Sequence, residues 1–487
     1  MTSKSSRLPP ILGEVRGKDT RFSVKKSRQI INMTHLLFIQ NNKTVALFQN
    51  LGTLALLLIA LPFNLILVSV AWIINLFRKP FEKKVVVENP KRVLITGAKM
   101  TKALQLARLF HAAGHTVFLV ETQKYWLTGH RFSNAVAGFY TVPAPKKDPE
   151  GFCQGLLEIV KKEQIDAFIP VTSPVESYYC SVVKPLLSPH CEVIHFDPEI
   201  TELLDNKYSF IEKAKELGLS VPKTFLITKP EDVLNFDFEA DGSQYILKSI
   251  PYDSVHRLDL TRLPMNSYSE MEQFVKGLPI SEDKPWIMQE FIRGKEYCTH
   301  STVRKGDIRL HCCSDSSPFQ VNYQQIENPE ILAWVKGFVK PLNLTGQVSF
   351  DFIQAPDGQV YPLECNPRTH SAITMFYNHP GVAAAYLEDS KQPDLPPIEP
   401  LPNSKSTYWL YHELWRLNEV NSWQKLHHWI QKITQGTDAI FQVNDPIPFL
   451  MVHHWQIPLL LVGNLKKFKG WIRIDFNIGK LVESGGD

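Results

Sequence analysis

Glu364 and Asn366 stand one residue apart in the stretch YPLECNPRTH (Tyr361 to His370), on an apolar, strand-like run that Pro367 and Arg368 follow at once. In a strand, side chains at i and i+2 share a face, so the carboxylate and the amide converge on one spot. Two oxygen donors on one face suit a hard cation such as Mg²⁺, which takes carboxylate and carbonyl oxygens and usually keeps phosphates as its other partners. Upstream, VSFDFIQAPDGQVYPLEC reads as two apolar runs around a Pro-Asp-Gly turn, a hairpin signal. A loop of two or four residues puts Asp351 on the face of Glu364, whereas a three-residue loop puts them on opposite faces. Asp351, Glu364 and Asn366 are therefore the candidate metal ligands, with Arg368 as a planar donor fork for phosphate oxygens. The plain alternative is a surface hairpin with a polar outer face.

The elements that must position such a hairpin lie upstream. After Pro90, RVLITGA, TKALQLARLFHAAG and HTVFLVE read as strand, helix and strand, and IDAFIPV and EVIHF add two strands. Roughly Arg92 to Asp197 is thus an open α/β layer. Gly97 at the first turn could bring a backbone near a phosphate, but no G-x-G-x-x-G fingerprint surrounds it. Next, a helix begins at Lys207 and ends at Gly218. Lys248 stands alone in the strand SQYILKSIPYDS, where a half-buried ammonium calls for a facing anion unless it snorkels to water. KPWIMQEFIRGKEYCTH is a buried strand running through Gln289, Glu290, Phe291 and Ile292 to Gly294 and Glu296, a backbone edge followed by an acid that an adenosine could use.

A Lys at a helix start, a Lys in a strand, Q-E-F-I-x-G-x-E, then D-F-I and E-x-N-P-R: in this order the segments resemble the ATP-grasp superfamily, over roughly Arg92 to Pro380. The resemblance implies an ATP-grasp fold of two α+β subdomains preceded by an open α/β domain. It implies that Lys207 and Lys248 contact ATP phosphates, that Gln289 and the Glu290–Ile292 backbone hold adenine, and that Glu296 takes the ribose. Asp351, Glu364 and Asn366 would bind Mg²⁺, with Mn²⁺ able to substitute, and Arg368 and Lys248 would act in catalysis. Two departures stand out: SIPYDSVHRLDL lacks the glycines usual in a phosphate-covering loop, and Ser349 replaces a common basic residue. His256 or Arg257 would then share the phosphate clamp. STVRKGDIRLHCCSDSSPFQVNY, ECNPRTHSAITMFYNHPGVA, YHELWRL and the C-terminal PFLMVHHWQIPLLL resemble the mycosporine-glycine synthase family, which implies coupling of glycine to the cyclohexenone 4-deoxygadusol. Arg368, Thr369, His370 and Ser371 are the candidates to meet the glycine carboxylate. Two other classes stay open: a Rossmann-type oxidoreductase using Gly97 and Glu121, and a membrane-bound nucleotide sensor without turnover.

The chain has 487 residues, 21% of them charged, with a formal net charge of +4, so no nucleic-acid partner is expected. Seven cysteines without zinc-ligand spacing imply reduced thiols in a cytosolic compartment, and adjacent Cys312 and Cys313 read as core filling. Thr44 to Phe77 carries no charge and is long enough to cross a bilayer, with Pro62 and Asn64 at its middle. A single kinked span, a monotopic hairpin and a buried core helix are the alternatives, the first two placing the rest of the chain at the cytoplasmic face of a membrane. The divisions are a basic arm (1–43), the apolar segment (44–77), the α/β domain (90–197), the ATP-grasp domain (198–390) and a Pro-rich connector with an aromatic-rich C-terminal region (391–487). Trp409, Tyr411, Trp415, Trp423, Trp429 and Trp455 in that region read as a packed accessory layer.

Overall fold

A computed structural model of the chain describes residues 43–78, 87–251, 256, 259–316, 322–389 and 395–483. Arg257 and the basic arm up to residue 42 lie outside the described residues. The apolar segment is one continuous helix, α1 (Lys43–Arg78), with Pro62 inside it, so the hairpin alternative does not hold. Nor is it a core helix: Ala46, Asn50, Leu57, Asn64, Val68 and Ala71 are its only buried residues.

Five parallel strands follow: β1 (Arg92–Ile95), β2 (Thr116–Thr122), β3 (Gly138–Val142), β4 (Ala167–Ile169) and β5 (Glu192–Val193). Their order is β3-β2-β1-β4-β5. Val93, Leu94, Ile95, Phe168 and Ile169 are fully buried, as expected where helices cover both faces of a parallel sheet. Strand order reverses between β1 and β4, where the loops after the two strands form a switch point. That point is closed here. Gly97 has φ +66°, and a Cβ on it would lie 1.9 Å from the Val171 carbonyl oxygen. Its missing side chain lets two backbones pack, not a phosphate approach, which corrects the nucleotide reading of this turn. Helix α2 (Thr101–Ala112) leaves β1 and is buried from Thr101 through Phe110, Lys102 and Arg108 included.

Two antiparallel sheets come next. The first, in order β6-β9-β7-β8, contains β6 (Thr224–Ile227), β7 (Tyr245–Ser249), β8 (Arg262–Leu263) and β9 (Trp286–Glu290). The second contains β10 (Lys295–Arg304), β11 (Asp307–Asp315), β13 (Gly346–Gln354) and β14 (Val360–Asn366), in order β11-β10-β13-β14. Helix α3 (Lys207–Glu216) and helix α4 (Pro329–Val339) cover one face of it. Phe210, Trp334, Phe338, Phe350 and Phe352 fill the space between, with Trp334 and Phe338 stacked at 5.5 Å. With one face sealed by aromatics, the other is left for polar side chains. An α/β layer followed by two α+β units is the layout that the ATP-grasp resemblance calls for.

The C-terminal region is woven into this body. β15 (Thr407–Tyr408) pairs with β12 (Asn322–Tyr323) and with β16 (Thr437–Asp438). Trp409 is buried, and its Nε1 donates to Thr101 Oγ1 at 3.0 Å. The packed-layer expectation does not extend to Trp415, Trp423 and Trp455, which are 68%, 84% and 43% exposed. All seven cysteines are free thiols, and Cys312 and Cys313 are both buried.

Candidate active site

The hairpin joining β13 to β14 solves the register problem in an unforeseen way. Ala355 N–H bonds Gln359 O at 2.9 Å, so the loop is the three residues Pro356-Asp357-Gly358. That loop alone would put Asp351 and Glu364 on opposite faces. A β-bulge between Asp351 and Phe352 shifts the register by one, with Leu363 as the extra residue, and Asp351 ends directly opposite Glu364. Directly paired positions place Cβ atoms about 5 Å apart.

Burial and the neighbouring Glu364 carboxylate push Asp351 well above the ordinary carboxylate range, and Glu364 is close enough to share its proton. Burial pushes Glu364 up as well, but Lys207, Lys248 and Arg368 outweigh it and hold Glu364 below that range. A divalent cation between the two would let both ionise, so the donor pair fits Mg²⁺. Among the described residues no three His, Cys, Asp or Glu side chains form a ready metal cage. Asn366 is less available: its Oδ1 accepts from Arg368, while its Nδ2 donates to Glu364 Oε1 at 3.3 Å. Arg368 also meets Asp205 at 3.3 Å.

Lys207 opens α3, whose N-terminus is capped by Asn206 Oδ1 accepting from Tyr208 N at 2.9 Å and Ser209 N at 3.2 Å. In the first sheet Ile246 pairs with Gln289, which puts Lys248 on the face of Gln289. Lys248 Nζ donates to Gln289 Oε1 at 2.8 Å, and Gln289 is fully buried. Burial lowers Lys248 below the ordinary lysine range, with Glu364, Asp351 and Glu296 pulling it back up. Lysines from two elements and acids from the second sheet therefore act on one point. Glu296 sits on β10 beside Ile353 of β13.

The adenine edge is narrower than expected. Glu290 N–H donates to Lys223 O at 2.8 Å and Phe291 N–H to Gln244 O at 2.7 Å. The Glu290 carboxylate accepts from Lys223 N at 3.1 Å and Ser243 Oγ at 3.3 Å. Ile292 N–H makes no hydrogen bond among the described residues, which leaves it as the donor of this segment that a base could use. His256 packs edge-on to Trp286, ring centroids 5.8 Å apart.

Sequence reasoning missed the residues that hold the loop after β14. Lys102 Nζ donates to Thr369 O at 2.6 Å, and Ser177 Oγ donates to Pro367 O at 2.8 Å. Thr369 Oγ1 and Tyr386 OH both donate to Gln347 Oε1 at 2.7 Å. The α/β layer thus grips the loop on both sides of Arg368. Burial, then the nearby Arg368 charge, lowers Lys102 to about 7. His370 Nδ1 accepts from Ala372 N at 3.2 Å, and burial lowers it to about 3, so it is neutral. Ser371 Oγ accepts from Asn477 Nδ2 at 2.7 Å. Of the four candidates for a substrate carboxylate, Thr369, His370 and Ser371 are thus engaged in holding the loop. Glu121 is likewise spent: it accepts from Lys99 N at 3.0 Å, Lys99 Nζ at 3.1 Å and Thr122 N at 2.8 Å, so the ribose role of the oxidoreductase alternative finds no free acid there.

No family model matches the sequence, and no curated protein matches it. Among solved structures, the chain is similar to an L-amino acid ligase from Bacillus licheniformis (14% identity, 61% of this chain and 70% of that one, TM-score 0.42). It is similar to N5-carboxyaminoimidazole synthetase from Staphylococcus aureus complexed with ADP (14%, 60% and 73%, TM-score 0.43). A third is biotin carboxylase from Campylobacter jejuni in a β-γ-ATP complex (13%, 62% and 72%, TM-score 0.48).

Proposed function

We propose that the chain is a Mg²⁺- and ATP-dependent carbon–nitrogen ligase. The observation that carries this is the Asp351–Glu364 pair, brought to one face by a bulge and set among Lys207, Lys248 and Arg368. Such a group of two acids and three cations is matched to a metal-bound polyphosphate. Asp351 and Glu364 would hold Mg²⁺, which on binding neutralises phosphate charge and acts as Lewis acid. Lys207 and Lys248 would meet the phosphate oxygens, Gln289 fixing Lys248 in place. Ile292 N–H and Glu296 would take adenine and ribose. Arg368, held by Asp205 and Asn366, would meet the acceptor oxygen and the γ-phosphate.

An oxygen of the acceptor attacks that phosphorus and ADP leaves. The amine nitrogen then adds to the activated carbon, loses a proton, and the carbon–oxygen bond breaks to release phosphate. The family resemblance supports glycine as the amine and the enolic oxygen of 4-deoxygadusol as the acceptor, giving mycosporine-glycine. The coarser form is a carboxylate-amine ligase of other substrate. Use of ATP and reduced thiols support a cytosolic site. Incubation with Mg-ATP, glycine and 4-deoxygadusol, read by product mass, tests the proposal. ADP, phosphate and the glycine adduct are expected. Turnover of a carboxylate donor alone would remove the substrate, and failure to form ADP with any amine and acceptor would remove the ligase.

A further inference from the structure

Among the described residues, helix α1 exposes more large apolar side chains than any other element. Its six buried positions, 46, 50, 57, 64, 68 and 71, fall within a stripe about 60° wide at 3.6 residues per turn. Around the rest, Phe48, Leu58, Phe63 and Phe77 are 68–74% exposed. Mean hydropathy reaches 2.6, and the only charges are Lys43 and Arg78 at the two ends.

The stripe is attached to the body along its length by polar bonds. Near one end, Gln49 Nε2 donates to Trp471 O and Asn50 Nδ2 to Lys469 O, both at 2.9 Å. In the middle, Asn64 Nδ2 lies 2.6 Å from both Tyr411 OH and His454 Nε2. Near the other end, Asn75 Nδ2 donates to Asn444 O at 3.2 Å. Gln49 to Asn75 spans about 39 Å at 1.5 Å per residue, more than the roughly 30 Å of a hydrocarbon core. Asn444 adjoins Asp445, which is ion-paired with Arg108 at 2.8 Å. A helix crossing the bilayer would carry this charged layer into lipid with it.

Helix α5 (Ile457–Lys466) packs on α1 through Ile457 and Leu461, and it exposes Leu459 and Val462, with Trp455 exposed just before it. From Pro446 to Ile474 there is no acid; Lys466 and Lys467 are exposed, as are Lys469, which pairs with Glu483 at 3.7 Å, and Arg473, which pairs with Asp475 at 3.2 Å. Outside the buried stripe, exposed apolar side chains from Phe48 to Phe77 run around the rest of the helix. A bilayer surrounds it, and anionic headgroups match the positive border.

We infer that α1 lies in the plane of an anionic membrane surface, with its apolar flank sunk among the acyl chains and the basic α5 edge at the headgroups. The inference does not depend on the ligase reading. The test uses the full chain, added from outside to sealed vesicles. Flotation should be strong on phosphatidylcholine containing phosphatidylglycerol, weaker on phosphatidylcholine alone, and severalfold weaker for a Lys466→Glu, Lys467→Glu, Lys469→Glu variant whose thermal melting is unchanged. Lys43→Cys and Arg78→Cys chains, read against the native background, should both react with an impermeant maleimide without vesicle lysis. Protection of one end until lysis would show a crossing and overturn the inference. So would a lipid-indifferent dimer that buries α1, or binding insensitive to lipid charge.

Discussion

At the scale of single residues, Lys248 and Lys223 provide a controlled comparison. Both lie in or beside strands of the first sheet, but Lys248 bonds buried Gln289 whereas Lys223 is exposed and pairs with Asp241 at 2.7 Å. Lys248→Met should cut ATP turnover by about 10²- to 10³-fold, the usual loss of a charge-stabilising donor. Lys223→Met should change it little, since an exposed, solvent-screened pair on the sheet's outer edge adds no charge at the acids. Equal losses would make Lys248 ordinary. Lys102 makes a second prediction. Folding lowers its proton affinity to about 7, while the unfolded chain keeps the proton up to about 10.5. Between those values the unfolded state binds more protons, so stability rises with pH. The cost of the buried charge is fully present below about pH 7. Urea midpoints should therefore climb across that window in the native chain and climb less in Lys102→Met; parallel curves would contradict this. Residue types made Lys248 and the acids legible in the sequence. Lys102 was hidden because nothing local shows that its helix is covered on every side.

Elements decide whether legible residues meet. The sequence announces a hairpin through Pro-Asp-Gly, but the two acids share a face only because a three-residue loop and a one-residue bulge cancel. Neither half of that compensation has a sequence signal, since Leu363 is an unremarkable strand residue. The parallel strands and helices, by contrast, were readable from periodicity, because buried strands and amphipathic helices are set by local pattern. Gly294 joins the segment Glu290–Ile292, proposed to meet adenine, to β10, and a Cβ there would lie 2.1 Å from Gln354 O at the end of β13. Backbone cannot yield as a side chain does. Gly294→Ala should cost about 1–3 kcal/mol in urea unfolding and weaken Mg-ATP binding measurably by calorimetry. Unchanged affinity would separate this junction from the site.

At the scale of the molecule, the proposed site lies where three layers meet: acids from one antiparallel sheet, a lysine from the other, and a loop clamped by the α/β layer. Long-range packing of this kind is the least legible part of the sequence. The C-terminal region shows why: Asn477 O receives the N–H of Thr101 at 2.8 Å, closing a helix that starts 376 positions earlier. The apolar run was legible as one long apolar segment, but its lengthwise attachment to the body was not. The central claim, that this meeting point is a Mg-ATP site, is reached most directly by titrating ATP into the native chain with and without Mg²⁺, and into Glu364→Gln and Asp351→Asn. Metal-dependent binding in the native chain, lost or weakened by about tenfold or more in both variants while thermal melting is retained, is the predicted result, since each variant removes one of two anionic ligands. Binding equally tight in the variants, or indifferent to chelation of Mg²⁺, would contradict it.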